Sequence, residues 1–223
     1  MFQTDPFALI VLLIGMALLP FLAMIATSYL KIVVVMSLIR NALGIQSIPP
    51  NMVINALALI LSCYIMAPMI GEGWDTLREG MKGNDAKVVY ESDLALRASE
   101  PFRRFLDEHT EEKQVAFFVR TAEKLWATTD ANGEEVPAVV DPKSYYVLLP
   151  AFCVSELTKA FVIGFLVYLP FIAIDIIVSN ILLAMGMMMV SPVTISLPFK
   201  LLLFVMVDGW TLLIQGLVQS YMR

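Results

Sequence analysis

Residues 171–206 read FIAIDIIVSNILLAMGMMMVSPVTISLPFKLLLFVM, and this stretch decides the fold class. Asp175 and Lys200 are its only charged side chains, and residues 181–190 carry no polar side chain on any face. A helix of roughly 20 apolar residues matches the ~30 Å hydrocarbon core of a bilayer, where only helices and closed barrels satisfy their backbone polar groups. Barrel strands would alternate apolar and polar residues, which this stretch does not do. We therefore predict apolar helices that insert into a membrane.

Similar apolar segments lie elsewhere in the chain, and prolines mark most of their ends. The first segment is interrupted by Pro20 and by Lys31, and residues 46–51, with two adjacent prolines, form a turn. Pro170 either separates two segments or kinks one long helix, and residues 191–198 break the chain again. We predict an all-α fold of four to five apolar helices, some of them kinked, arranged as helical hairpins. Their approximate bounds are 7–38, 52–70, 145–168, 171–190 and 199–221.

Charge is concentrated between two apolar blocks. Residues 71–146 carry sixteen acidic and ten basic side chains, whereas the rest of the chain carries four acidic and five basic ones. We therefore divide the chain into an N-terminal apolar helical hairpin (1–70), an acidic helical insert (71–146) and C-terminal apolar helices with a methionine-rich loop (147–223).

Two helices are predicted within the acidic insert. Ser99 as a cap and Pro101 in the first turn mark the start of one helix. The helical spacing of apolar residues over 111–127 predicts the other, and residues 130–142 predict a flexible return loop. The insert is then a small helical cap with a solvated acidic face.

The turn that carries Arg40 predicts the orientation of the chain. Basic residues in short loops stay in the cytoplasm, while long domains cross largely regardless of charge, so the acidic insert is predicted to be extracytoplasmic. Residues 1–7 contain Asp5 and no Lys or Arg, unlike the basic start of a cleaved signal peptide. We therefore expect the first apolar segment to be retained.

Seven charged side chains lie in or beside the apolar segments, where each costs at least about 2.5–3.5 kcal/mol unless it faces protein, water or an opposite charge. Glu156 and Lys159 are three residues apart and can pair on one helix face. Snorkelling to the lipid headgroups is an alternative for Arg40 and Lys200. The remaining charges must find partners across helices or across subunits. The seven are Lys31, Arg40, Glu156, Lys159, Asp175, Lys200 and Asp208.

Residues 185–192, MGMMMVSP, form the most unusual run of the chain. Methionine is unbranched and polarizable, so a ring of methionines could close a pore and still repack around a passing chain. Core filling is the alternative interpretation. The candidate pore residues are Met185, Met187, Met188 and Met189, and the predicted loop hinges are Gly186, Pro192 and Pro198.

Few residues suit catalysis or metal binding. Cys63 and Cys153 lie in apolar runs, as unpaired core thiols do, and His109 is expected to be solvated. We expect no enzyme activity, cofactor, metal or nucleic-acid partner. Two other functions stay open: a small-solute transporter, whose hallmark would be repeated halves, and an intramembrane aspartyl protease using Asp175 and Asp208, although no G-x-G-D run occurs.

Three motifs together resemble one known family. From residue 182 the chain reads LLAMGMMMVSPVTISLPFKLLLFVMVDGW, residues 40–44 read RNALG and are followed by PPN at 49–51, and residues 155–157 read SEL. This set is similar to the flagellar FliP and type III secretion SctR family of export-gate proteins. The acidic insert matches the family only in place and approximate size.

The resemblance implies a core subunit of a type III secretion export gate in the bacterial inner membrane, with the insert on the periplasmic side. It implies a homo-oligomer, with five copies expected, joined by SctS/FliQ-like and SctT/FliR-like membrane subunits. These chains, in contact with inner-membrane lipid, would enclose a channel for exported unfolded proteins.

Matching positions carry the family's residue roles onto this chain. They imply that Met187, Met188 and Met189 form a gasket that narrows the pore. They also imply an intersubunit charge set, which consists of Lys31, Glu156, Asp175 and Lys200. The absence of a cleaved signal sequence favours the virulence-type SctR branch over the flagellar one.

Overall fold

The computed structural model describes residues 6–45, 48–82, 92–129, 135–187 and 189–222, and these residues are largely helical. The predicted all-α fold is confirmed. A short antiparallel ladder joins β1 (Thr128–Thr129) to β2 (Glu135–Val136), with Thr128 opposite Val136. The helices of the described residues are α1 (Pro6–Ile25), α2 (Tyr29–Ala42), α3 (Asn51–Lys82), α4 (Ser92–His109), α5 (Glu112–Leu125), α6 (Tyr145–Ala184), α7 (Pro192–Met206) and α8 (Gly209–Gln219).

Two helices are long and apolar enough to cross a membrane, over Asn51–Gly80 of α3 and over the whole of α6. Two bent helix pairs pass the same test when each pair counts as one span. These pairs are Leu13–Ile25 with α2, bent by 57°, and α7 with α8, bent by 60°. By length and composition, the described residues therefore offer two to four candidate membrane spans.

Packing divides the chain into two compact units. Unit 1 consists of Met1–Leu30 and Met69–Val154, and unit 2 consists of Lys31–Pro68 and Ser155–Arg223. The boundaries cut helices α2, α3 and α6, so each of these helices contributes to both units. The division into 1–70, 71–146 and 147–223 rests on hydropathy and charge, and it stays a prediction.

The first apolar segment breaks at residues 26–28, and the predicted interruptions at Pro20 and Lys31 are wrong. Pro20 lies inside α1, and Lys31 lies in the first turn of α2. The hydroxyl of Thr27 donates to the carbonyl of Ala23 at 2.7 Å and accepts from the Tyr29 amide at 3.3 Å. This side chain satisfies backbone groups that a continuous helix would pair, so the chain can turn there.

The third and fourth predicted segments form one helix. Helix α6 runs through Pro170 without a break, which selects the alternative of one long helix over two separate ones. At 1.5 Å per residue, its 40 residues extend about 60 Å, roughly twice the hydrocarbon thickness of a bilayer. Proline is tolerated in such helices because neighbouring groups satisfy the freed carbonyls.

The last apolar segment starts earlier than predicted and is divided. Helix α7 begins at Pro192, which suits the first turn because that position needs no amide hydrogen. Pro198 lies inside α7, so the predicted start at residue 199 is wrong. The segment instead breaks at Val207 and Asp208, and Asp208 adopts a left-handed backbone conformation with φ 52°.

Among the described residues of the acidic insert, α4 and α5 lie wholly within it, and the predicted start of the first of these is wrong. Helix α4 begins at Ser92, well before the predicted start at Ser99, and Pro101 lies buried within it. The Ser99 hydroxyl donates to the Leu96 carbonyl at 2.9 Å, so it is not a cap. The helix predicted over 111–127 is confirmed as α5.

Candidate functional site

A buried cluster of charges joins three elements of unit 2, and we call it the Glu156 cluster (Lys31, Glu156, Lys159 and Tyr221). The Nζ atom of Lys31 in α2 lies 3.1 Å from Oε2 of Glu156 in α6, and these side chains are 2% and 0% exposed. Lys159, one turn further along α6, places its Nζ atom 3.3 Å from Oε1 of the same carboxylate. Both the predicted local pair and a pair across helices are therefore present.

Tyr221 completes the Glu156 cluster from the end of the chain. Its hydroxyl donates to Oε2 of Glu156, and its ring centroid lies 3.6 Å from Nζ of Lys31. Tyr221 follows the last candidate span, which ends at Gln219. Burial, and then the neighbouring carboxylate, raises the pKa of its hydroxyl well above the ordinary value, so the hydroxyl stays protonated and donates.

A second cluster joins α6, α7 and the end of α2, and we call it the Asp175 cluster (Ala42, Asp175, Ser196 and Lys200). The Nζ atom of Lys200 lies 2.6 Å from Oδ2 of Asp175, and the Ser196 hydroxyl donates to Oδ1 at 2.6 Å. Lys200 also donates to the carbonyl of Ala42 at 3.3 Å. Ala42 is the last residue of α2, where carbonyls without helical partners favour a cation.

The two clusters account for most of the charges that needed partners. Lys200 is buried and paired within the chain, so snorkelling does not explain it. Arg40 donates from Nη1 to the carbonyl of Pro49 and to Oδ1 of Asn51, which ties the end of α2 to the start of α3. These charged side chains therefore find partners on other helices of the same chain. The intersubunit role of Lys31, Glu156, Asp175 and Lys200 stays a prediction.

Asp208 lies at the bend between α7 and α8 and is exposed. The hydroxyl of Thr211 donates to its Oδ1 atom at 3.1 Å. An aspartyl protease needs two carboxylates that share a proton, whereas Asp175 is held by a lysine and a serine. The geometry of these two residues therefore gives no support to a protease.

The methionine run forms an exposed turn between α6 and α7. Gly186 has φ +74°, a conformation that glycine adopts readily, and the amide of Met187 donates to the carbonyl of Leu182 at 3.0 Å. Met185 and Met187 are exposed, and Met189 is fully exposed. Core filling is therefore the wrong interpretation for these three, while Met188 lies outside the described residues.

The predicted loop hinges occupy different positions around this turn. Gly186 supplies its left-handed residue, and Pro192 begins the helix that follows it. Pro198 lies one and a half turns inside that helix. An apolar groove of about 380 Å³ runs beside the turn, and Ile177, Ile181, Met185, Ile195 and Phe199 are among its lining residues.

Sequence reasoning missed two of the polar side chains in the clusters, those of Ser196 and Tyr221. Tyr221 continues the four-residue spacing of Gly209, Leu213 and Leu217, but only the structure shows that this row is buried. Ser196 stands four residues before Lys200 on the same helix, a spacing that brings two side chains to one face.

The two cysteines and His109 form no candidate catalytic or metal-binding group in the described residues. Cys63 and Cys153, both in the described part of the chain, are free thiols. His109 is half-buried, with Nδ1 2.9 Å from the carbonyl of Phe105 and its ring 4.5 Å from the Phe105 ring. The expectation that His109 is simply solvated is wrong, because the helix places it against that ring.

Long apolar helices, two ion-paired clusters and an exposed methionine turn define a helical membrane protein. The chain belongs to the FliP family, whose model matches residues 12–217. The predicted family is thereby confirmed.

Relatives match over nearly their whole length. The chain is 50% identical to Yop proteins translocation protein R of Yersinia pestis over 220 residues, which cover 97% of each chain. It is 49% identical to Pathogenicity-related ORF2 of Xanthomonas campestris pv. glycines over 215 residues, which cover 96% of this chain and 95% of that one. It is 46% identical to Hypersensitivity response secretion protein HrcR of Ralstonia nicotianae, with 96% of each chain covered. The names of these three relatives refer to translocation, pathogenicity and secretion.

Proposed function

We propose that this chain is a core subunit of a type III secretion export gate, a gated channel for unfolded protein substrates. The family match covers almost the whole chain. The relatives' names describe translocation, secretion and pathogenicity, and we transfer that role to this chain. In this role the chain is a structural part of the secretion apparatus and not an enzyme.

The exposed methionine turn is the observation that carries the channel role. Met185, Met187 and Met189 are exposed on a turn between two apolar helices. Side chains that only filled the core of this chain would be buried. Copies arranged around an axis would bring these turns together as a ring. Flexible thioethers can seal such a ring at rest and repack around a passing chain. We assign the gasket to Met185, Met187, Met188 and Met189.

Assembly with further chains follows from the apolar surface of unit 2. Phe161, Phe165 and Phe199 are more than half exposed, as are many aliphatic side chains on the same helices. Surface of this kind contacts lipid or neighbouring subunits. We infer a homo-oligomer of five copies, completed by SctS/FliQ-like and SctT/FliR-like membrane subunits. The Glu156 and Asp175 clusters would then lie at or beside the contacts between copies.

The location we propose is the bacterial inner membrane, with the acidic insert on the periplasmic side. The charge pattern supports this orientation, because Arg40 lies in the last turn of α2, beside the short connection to α3, whereas the long insert is acidic. A cysteine placed at exposed Glu112 of α5 and labelled in intact cells by a membrane-impermeant maleimide tests the side. Labelling only after the inner membrane is broken would contradict the orientation.

The mass of the intact complex, extracted in mild detergent through a tagged copy of this chain, tests the assembly. We expect several copies of the 24.8 kDa chain together with two other kinds of membrane protein. A single chain that supports secretion without any partner would overturn the export-gate role. Solute uptake into vesicles by that single chain would favour a transporter instead.

A further inference from the structure

A buried row of residues, which ends at Tyr221, packs helix α8 and the residues after it against the rest of unit 2. Gly209, Leu213, Leu217 and Tyr221 are all buried, and their spacing of four places them along one side of the helix. The first three carry no polar side chain. Tyr221, by contrast, ends this row on a buried ion pair, which gives the last turn a polar anchor.

The carboxylate of Glu156 receives donors on both oxygens. Oε2 accepts from Lys31 at 3.1 Å and from the Tyr221 hydroxyl, while Oε1 accepts from Lys159 at 3.3 Å and Lys31 at 3.5 Å. An ionised carboxylate offers about four acceptor positions, so these contacts fill Glu156. The Tyr221 hydroxyl therefore occupies a position that another donor would otherwise take.

The ring of Tyr221 acts on the other member of the pair. With the Lys31 ammonium 3.6 Å from its centroid, the ring covers the cation and adds a cation–π attraction that is strongest where water is excluded. Lys31 is 2% exposed, so water is excluded here. One side chain thus contacts both charges of the pair, through its hydroxyl and through its ring.

We propose that Tyr221 is a positioning residue that closes the Lys31–Glu156 pair within the chain and fixes the end of helix α8 against helices α2 and α6. Because of these contacts, the buried Lys31–Glu156 pair has its partners within the same chain. A charged group of another subunit would have to displace Tyr221 to reach Oε2 of Glu156 or the ring-covered side of Lys31. This inference concerns one chain and does not depend on the export function.

Amine labelling of the full chain in its detergent-extracted complex tests this role, because Lys31 and Lys200 are both buried in the described part of the chain and Lys31 is the one that contacts Tyr221. An N-hydroxysuccinimide ester is the probe, and mass spectrometry reports the labelled fraction at Lys31, Lys200 and exposed Lys113. In the Tyr221→Ala variant we expect labelling of Lys31 to rise roughly fivefold to thirtyfold. Labelling of Lys200 and Lys113 should not change.

Two results would overturn the proposal. One is unchanged labelling of Lys31 in Tyr221→Ala. The other is an equal rise at Lys31 and Lys200, which would show that the variant only loosens the whole of unit 2. Tyr64→Phe, at an exposed tyrosine of the same unit, is the matched control and should leave both lysines protected.

The milder Tyr221→Phe variant keeps the proposal testable if the alanine variant fails to fold. It retains the ring over Lys31 and removes only the hydroxyl, so we expect the midpoint of thermal unfolding to fall by about 4 °C. In a chain that also carries Lys31→Met and Glu156→Leu, the same change should have no effect, since no carboxylate remains. Equal shifts in the two backgrounds would mean that Tyr221 acts by packing alone, which would refute the positioning role whatever the outcome for export.

Discussion

The Nζ atom of Lys200 lies 2.6 Å from Oδ2 of Asp175, and this pair fixes the two helices that flank the methionine turn. Asp175 stands ten residues before Met185 on α6, and Lys200 stands eight residues after Pro192 on α7. The contact of Lys200 with the Ala42 carbonyl adds the end of α2 to the same cluster. The position of the exposed turn is therefore set by an ion pair between α6 and α7 in which Lys200 is buried and Asp175 is partly exposed.

Lys200→Glu is expected to destabilise unit 2 by about 3 kcal/mol or more and to abolish assembly. The variant places a second carboxylate beside Asp175 and aims it at the carbonyl of Ala42. Native gels and the yield of detergent-extracted complex measure the loss. Lys113→Glu, at an exposed lysine of unit 1, is the control and should assemble normally.

A charge swap separates the ion pair from other roles of Lys200. The double variant Asp175→Lys with Lys200→Asp restores opposite charges but loses the favourable contact with Ala42, so partial recovery of assembly is expected. Normal assembly of the single Lys200→Glu variant would show that the pair has no part in holding the subunit together.

Combined replacement of Met187, Met188 and Met189 by alanine should leave the complex assembled and make the resting channel leak ions. The reason is that alanine removes the flexible thioether from each position while the helices that carry the turn keep their contacts. Conductance of the purified complex in planar bilayers measures the leak. Met52→Ala, at a methionine that is also exposed but lies far from the turn in sequence, should stay tight. A tight channel after the triple change would remove the gasket role.

The sequence predicted the apolar segments and the fold class, because hydropathy and charge are properties of the residues themselves. It did not predict where the segments bend. Pro20, Pro170 and Pro198 all lie inside helices, since a proline in an apolar helix is tolerated where its surroundings satisfy the freed carbonyl. The observed bends fall instead at Thr27 and Asp208, whose polar groups compete with the backbone.

The sequence predicted most residues of the candidate site but only part of their pairing. The need of Lys31, Asp175 and Lys200 for distant partners followed from the cost of a charge in an apolar segment. Which partner each charge finds depends on tertiary packing. Lys31 and Glu156, for example, are 125 positions apart in the sequence. Tyr221 was missed for that reason, since its role exists only once α8 is docked.

Gly186→Ala tests the backbone of the methionine turn. A Cβ at this position would meet no atom within 4 Å, so the expected cost of about 1 kcal/mol arises only from φ +74°. Gly216→Ala is the matched control, because its Cβ would also meet no atom and its helical backbone suits alanine, which should stabilise the protein slightly. Thermal unfolding of the two variants measures the difference. Equal midpoints would mean that the turn does not hold the conformation described.

Gly164→Ala should weaken the contact between α2 and α6. A Cβ at residue 164 would lie 3.2 Å from Cβ and 3.3 Å from Cγ of Leu38, and in direct conflict with its Cδ1 methyl, so the Leu38 side chain must shift or the two helices must move apart. Overpacking of this kind costs about 1–3 kcal/mol. Because Lys31 and Leu38 belong to the same helix, separation would also strain the pair between Lys31 and Glu156.

Removing the crowding between residues 38 and 164 should restore part of the stability of the protein. Leu38→Ala alone removes apolar contact and is expected to destabilise, yet combined with Gly164→Ala it makes room for the new methyl group. The double variant should therefore be more stable than the sum of the single changes implies, a coupling of about 1 kcal/mol. Unfolding midpoints of the four proteins measure this coupling. Strict additivity would show that Gly164 does not pack against Leu38, and the close approach of α2 to α6 would have to be abandoned.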